Sequence, residues 1–257
     1  MTPEQRPKVA YGDIVRPALG AAGRRGQAAK GLHGVVVDGI GRAIVENRIV
    51  PGTLLNADEL TRTFGVSRSV VRECVRVLES MGLVQARPHV GTRVLTRENW
   101  DLLDPRIIDW YADSPGSARQ RQELLELRSG IEPMAARLAA TAVVPADALE
   151  EMGDCCGVMA DAWRRRDKAA YFRADIRFHV LMLHHCGNDV IRQLAHTVAA
   201  ALASRYVEET FFRDPSTPAS VKRHRHLVVQ LTARDASASE QAAREIVDQT
   251  LIEVGPA

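Results

Sequence analysis

Apolar side chains return at Val36, Ile40, Ile44 and Val45 with helical spacing, and the "VPG" at 50–52 stops them, which predicts one amphipathic helix over about 35–47. Asn56 or Asp58 can cap a second, short helix that ends at Gly65. Ser67 can cap a third that runs to about Ser80, with Val70, Val71, Cys74, Val75 and Leu78 as its buried stripe and Gly82 beyond its end. The stretch "LVQARPHVGTRVL" (83–95) alternates and breaks between Pro88 and Gly91, the pattern of a two-stranded hairpin. Residues 98–118, with Pro105, "SPGS", Trp100, Trp110 and Tyr111, read as a linker whose aromatics pack on a neighbouring domain. Helical patterns then fill 119–141, 146–166, 168–185, 189–210, 219–233 and 237–254, with breaks at "VVP", "CGN", "RDPSTP" and "RDAS". The expected fold is mostly α: an N-terminal winged helix-turn-helix over 31–97 and a C-terminal all-α antiparallel bundle over 119–257, of six or seven helices.

Composition sharpens this division. A chain of 257 residues, 46% hydrophobic and 26% charged, is long enough for two modest cores. Residues 1–30 are rich in Gly, Ala and Pro with scattered Arg and Lys, and are expected to be a disordered basic arm. No apolar run approaches the roughly 18–20 residues of a membrane span, so a cytoplasmic protein is expected. Cys74, Cys155, Cys156 and Cys186 show no CxxC spacing and read as reduced thiols in packing roles. The net charge of +2 hides an asymmetry: residues 1–97 carry 15 Lys and Arg against 8 Asp and Glu, the rest 19 against 24. The basic third is the part suited to phosphate.

Within it, Arg68 and Arg72 lie one turn apart on the third helix, beside Ser67 and Ser69 at its positively polarised start. Two guanidiniums there suit phosphate contact and bidentate reading of guanine in a major groove. The hairpin offers Arg87, His89 and Arg93, with Gly91 allowing close backbone approach. Taken alone, two arginines could equally be a solvated helix face. The string "PGTLLNADELTRTFGVSRSVVRECVRVLESMGLVQARPHVGTRV" nevertheless resembles the DNA-binding domain of the GntR family of bacterial transcription regulators, through PG, EL, FGVSR, VRE, MGLV and the later G and V in order. The resemblance implies contact with double-stranded operator DNA. Two positions depart from the family pattern: Asn56 stands where proline is usual, and Cys74 where alanine is common.

In the bundle, "RADIRFHVLMLHHCGN" (173–188) places Asp175 and His179 on one helix face a turn apart, and a divalent metal could use both. Here "LLELRSGIEPMAARLAA", "ADIRFHVLMLHHCGN" and "HRHLVVQLTARD" resemble the FCD-type ligand-binding domain of the FadR subfamily. That resemblance implies a metal site of Asp175, His179 and His224, completed by a further histidine and an acidic effector. The further histidine is missing: its position falls at Gln249, or at Ile246 under another alignment of the preceding loop. Three outcomes stay open: zinc, nickel or manganese on three ligands; a metal completed by another histidine, His196 being best placed; or a metal-free pocket. His184 and His185 lie off the Asp175–His179 face, and His226, two residues from His224, points elsewhere. Arg128, one turn from Glu132, is either a structural ion pair or the partner of an effector carboxylate. Asn188 either caps a helix or meets ligand, and Phe211 and Phe212 are candidates for a pocket wall.

The segment 98–115, "LRSGIEP" and the missing histidine resemble the branch of the subfamily that controls sugar-acid catabolism, which implies an effector such as gluconate or galactonate. The whole reads as a homodimeric repressor on a palindromic operator and not as an enzyme. Its alternatives are the same regulator with a hydroxy- or dicarboxylic acid effector and, more distantly, a metal-dependent hydrolase.

Overall fold

A computed structural model describes residues 31–112, 114–142, 144–205 and 217–254. The chain divides into two compact units between Pro115 and Gly116.

The first unit opens with α1 (Leu32–Val45), then β1 (Leu54–Leu55), α2 (Ala57–Phe64), α3 (Arg68–Ser80), β2 (Val84–Arg87) and β3 (Gly91–Val94). Asn56 caps α2, its Oδ1 accepting from the backbone N–H groups of Asp58 and Glu59 at 2.9 and 3.2 Å. The residue that departs from the family pattern thus satisfies two otherwise orphaned donors. Gly65 ends α2 in the left-handed region, and Ser67 caps α3 through Val70. The strands form one antiparallel sheet in the order β1-β3-β2, with Arg87 opposite Gly91. A third strand joins the expected hairpin, because Leu54 and Leu55 pair with Arg93 and Thr92.

The segment 98–118, expected as a linker whose aromatics pack on a neighbouring domain, contains a helix of its own. Asp104 caps a further helix, α4 (Pro105–Tyr111), accepting from Arg106 N–H at 2.7 Å, with proline in its first turn. Ile107, Trp110 and Tyr111 join Val36, Ile40, Ile44, Val71, Cys74 and Leu78 in the core of this unit. Trp110 lies flush on α1: a Cβ at Gly41 would fall 2.3 Å from its ring, so only glycine allows the approach. Arg106 Nη2 meets Asp38 at 2.9 Å and Arg42 Nη2 meets Asp109 at 3.2 Å, fastening α4 to α1.

The second unit is all helical among the described residues: α5 (Ser117–Thr141), α6 (Ala146–Arg165), α7 (Lys168–His184), α8 (Asp189–Gln193), α9 (Ala195–Ser204), α10 (Thr217–Ala233) and α11 (Ala236–Val254). The pairs α5/α11, α6/α7, α10/α11 and α7/α9 pack together. Small residues at the crossings, among them Ala135, Ala136, Ala139, Cys156 and Ala243, let the helices approach closely around Phe178, Leu202 and Leu227. The helix expected over 189–210 is broken after Gln193, where Leu194 N–H bonds Ile191 O three residues back. No described helix is long and apolar enough to cross a membrane.

Candidate functional site

Three helices of the bundle supply the polar wall of one cavity: Arg128 on α5, with Glu132 one turn on and behind His179, the pair Asp175 and His179 on α7, and the pair Ser220 and His224 on α10. Ile246 and Thr250 on α11 add a further i,i+4 pair to the lining. Asp167 starts α7 by accepting from Ala170 N–H at 2.9 Å, which sets the phase that turns Asp175 and His179 inward. Counted together with its solvent-open mouth, the space comes to about 430 Å³. Arg205 and Arg223 also line it, so three guanidiniums face a space whose remaining wall includes Tyr171, Phe172 and Leu202.

The donor atoms of Asp175, His179 and His224 lie within 4.8 Å of one another, and all three side chains are buried. His224 Nε2 stands 3.2 Å from Asp175 Oδ1 and 3.3 Å from His179 Nε2; His179 Nε2 stands 3.8 Å from the same carboxylate oxygen. Behind this triangle the other nitrogen of each imidazole lies close to an oxygen. His224 Nδ1 meets the backbone carbonyl of Ser220 at 2.8 Å, and His179 Nδ1 meets Glu132 Oε2 at 2.7 Å. Burial opposes ionisation of Glu132, but the Arg128 guanidinium and His179 outweigh it and lower the carboxyl to about 2. Burial likewise opposes ionisation of Asp175, and His224, His179 and Arg205 hold it well below the usual carboxylate range. Ionised Glu132 and the Ser220 carbonyl can only accept, so both Nδ1 atoms carry hydrogen. The Nε2 atom of each ring then faces Asp175, where it can donate a hydrogen to the carboxylate or, without that hydrogen, ligate a divalent cation.

Arg128 is 2% exposed, and its Nε donates to Glu132 Oε1. Its Nη1 is buried with no hydrogen-bond partner among the described residues, and the same holds for Arg223 Nε. Buried guanidinium donors without acceptors are costly unless an anion meets them.

On the first unit, Ser67, Arg68, Ser69 and Arg72 are exposed at the start of α3. Arg68 Nη2 meets Asp58 Oδ1 at 2.9 Å, an exposed pair that a phosphate or base edge can displace at little cost. At the hairpin tip His89 takes φ +61 after Pro88, the third residue of a type II turn, and Gly91 takes φ +104. Arg87 and His89 are exposed there, and nothing lies within 4 Å of a Cβ built on Gly91.

Residues 32–94 match the family of bacterial regulatory proteins called the gntR family, and residues 123–249 match the FCD domain. The chain is a GntR-family transcription regulator with an FCD domain. This regulator is 29% identical over 214 residues to the galactonate operon transcriptional repressor of Escherichia coli K12, covering 82% of this chain and 92% of that protein. It is 27% identical over 223 residues to the HTH-type transcriptional regulator YieP of the same organism, covering 86% and 94%. A solved structure of Lar, which controls the agr system of Listeria monocytogenes, overlays with a TM-score of 0.61 at 18% identity, covering 88% and 97%. Matching domains and relatives are DNA-binding regulators, not enzymes.

Several residues singled out in the regulator's sequence do not join its cavity. His196 is exposed on α9, because the break at Leu194 leaves Ala195, Thr197 and Val198 as the buried positions. His184 and His226 are exposed and His185 is half-buried. Asn188 is spent on capping α8, its Oδ1 accepting from Val190 and Ile191 N–H at 3.0 and 3.1 Å. Gln249 is half-buried and absent from the lining, where Ile246 and Thr250 stand instead. Phe211 and Phe212 lie outside the described residues. Sequence reading missed Arg205, Arg223, Tyr171 and Ser220 as lining residues. For Ser220 a signal existed, since it precedes His224 by one helical turn.

Proposed function

We propose that the regulator is a repressor of a sugar-acid catabolic operon, released by a polyhydroxy carboxylate such as galactonate or gluconate. The observation that carries this reading is the pairing of an anion-hungry guanidinium, Arg128 with its buried unpartnered Nη1, with the Asp175, His179 and His224 donor triangle. A long acyl chain would find few apolar walls among Arg128, Arg205, Arg223 and three metal-type donors. The likeness to the galactonate operon repressor points the same way.

Asp175, His179 and His224 hold one divalent metal in this reading, and α11 lines the pocket with Ile246 and Thr250 and adds no imidazole or carboxylate to it. The ion, when bound, supplies positive charge and open coordination positions for effector oxygens. Arg128 anchors the effector carboxylate, and Ser220 and Thr250 offer hydroxyls to its other oxygens. Ser67, Arg68, Ser69, Arg72, Arg87, His89 and Gly91 meet the operator, and two copies of the chain engage a palindrome. A near-complete switch requires the effector to favour one dimer state by about 5.5 kcal/mol.

Elemental analysis and thermal shift of tag-free protein test this together. Zinc, nickel or manganese near one equivalent is expected, with a rise in melting temperature on adding galactonate or gluconate that a chelator removes. Displacement of a DNA duplex selected from random sequence should follow the same acid. Metal at background level and no shift with any aldonic acid would overturn the reading.

A further inference from the structure

We propose that Glu132 is the positioning residue of this pocket, fixing His179 for the metal and tying it to the arginine that anchors the effector. The proposal rests on the metal and effector roles given above for His179 and Arg128. Glu132 is 1% exposed, and its two oxygens are divided between two partners. Oε1 accepts from Arg128 Nε, and Oε2 lies 2.7 Å from His179 Nδ1.

An ionised carboxylate accepts and never donates, so it selects the tautomer of His179 that carries hydrogen on Nδ1. That leaves the Nε2 lone pair facing Asp175 and His224, where a ligand atom is needed. Outer carboxylates orient metal-binding histidines in this way. His224 reaches the same state by a different device, the backbone carbonyl of Ser220, which no side-chain substitution at 220 removes. His179 alone therefore depends on a side chain for its tautomer. That side chain also holds the guanidinium whose Nη1 lacks a partner. Turning Arg128 toward or away from Glu132 alters the charge behind His179. Effector and metal thus share one carboxylate that touches neither, and each should raise the affinity for the other.

The test uses the full-length protein, wild type, Glu132→Gln and Glu132→Asp. Long-range 1H–15N spectra of the metal-free proteins report the tautomer of His179, and zinc affinity is read by competition with a chromophoric chelator. The wild type should show hydrogen on Nδ1. In Glu132→Gln the amide can donate as well as accept, so the Nε2–H form should appear and zinc affinity should fall about 10- to 100-fold. Glu132→Asp should restore part of both. A folded Glu132→Gln protein with an unchanged tautomer and zinc affinity within about twofold of wild type would overturn the proposal. If Glu132→Gln does not fold, the wild-type spectrum decides: hydrogen on Nε2 of His179 overturns it. A wild type that binds no zinc refutes the metal reading, while the tautomer still decides the role of Glu132.

Discussion

Arg128→Ala removes a guanidinium that is 2% exposed from a carboxylate that is 1% exposed. Losing one partner of a buried pair costs about 3–5 kcal/mol, because the remaining charge is stranded. The titration of Glu132 gives a second figure. A carboxyl lowered from 4.5 to about 2 on folding contributes roughly 3 kcal/mol at neutral pH, part of it through His179. The sign follows from the lowered value: this stability is complete above about 4.5 and is lost as pH falls through about 2.

A loss of about 3 kcal/mol in a chain of this size lowers the melting temperature by on the order of 10 °C. Scanning calorimetry at pH 7 should find that drop for Arg128→Ala. Adding Glu132→Gln to the same protein should recover part of it, since the stranded charge is then gone. Arg128→Ala within about 1 kcal/mol of wild type, or a double variant worse than the single by a full additive step, would refute the buried-pair argument. Effector release must accordingly be assayed well below the variant's melting temperature, or loss of fold will be mistaken for loss of the carboxylate anchor.

Arg68→Ala and Arg72→Ala should each weaken binding to selected operator DNA by about 1–3 kcal/mol per lost base contact, with the effector-induced thermal shift unchanged. Unaltered gel-shift affinity would remove α3 as the reading helix. Burial raises the thiol of Cys74 to about 11 and that of Cys156 to about 12, so thiolate is scarce at pH 7.5. Iodoacetamide should label these two only on unfolding, as followed by mass spectrometry across a urea series, and prompt labelling of the native protein would contradict the packing described for α3 and α6.

The DNA-facing unit was largely legible because its signals are local. Ser67, Gly65 and the 70–78 stripe fix α3 within a dozen residues, and Pro88 and Gly91 fix the hairpin tip. Helix α4 escaped because seven residues are too few to show a helical period, although Asp104 and Pro105 carried its start signal. In the bundle, Asp175 and His179 were visible as an i,i+4 pair, and so were Arg128 and Glu132. Their meeting was not visible, since the Glu132 contact to His179 joins residues on two helices far apart in sequence. The choice between Gln249 and Ile246 depends on how α11 is rotated, which the packing of α11 on α5 decides. Asn188 and His196 stand outside the cavity lining: one Oδ1 is engaged in a cap, and the other side chain is exposed beyond a helix break with no glycine or proline to announce it.

The same geometry bears on the hydrolase alternative. Attack by a metal-activated water is helped by a nearby carboxylate free to take a proton, and in this pocket two carboxylates stand near the donor triangle. Glu132 lies behind His179 with one oxygen on Arg128 and the other on the imidazole, and a carboxyl held at about 2 is a weak base. Asp175 belongs to the triangle itself and is likewise held well below the usual carboxylate range. The three lining guanidiniums would bind an anionic product as firmly as an anionic substrate, which hinders turnover but suits a sensor that must stay occupied while its ligand lasts. In the proposed reading both carboxylates serve orientation and charge balance, an arrangement suited to equilibrium binding.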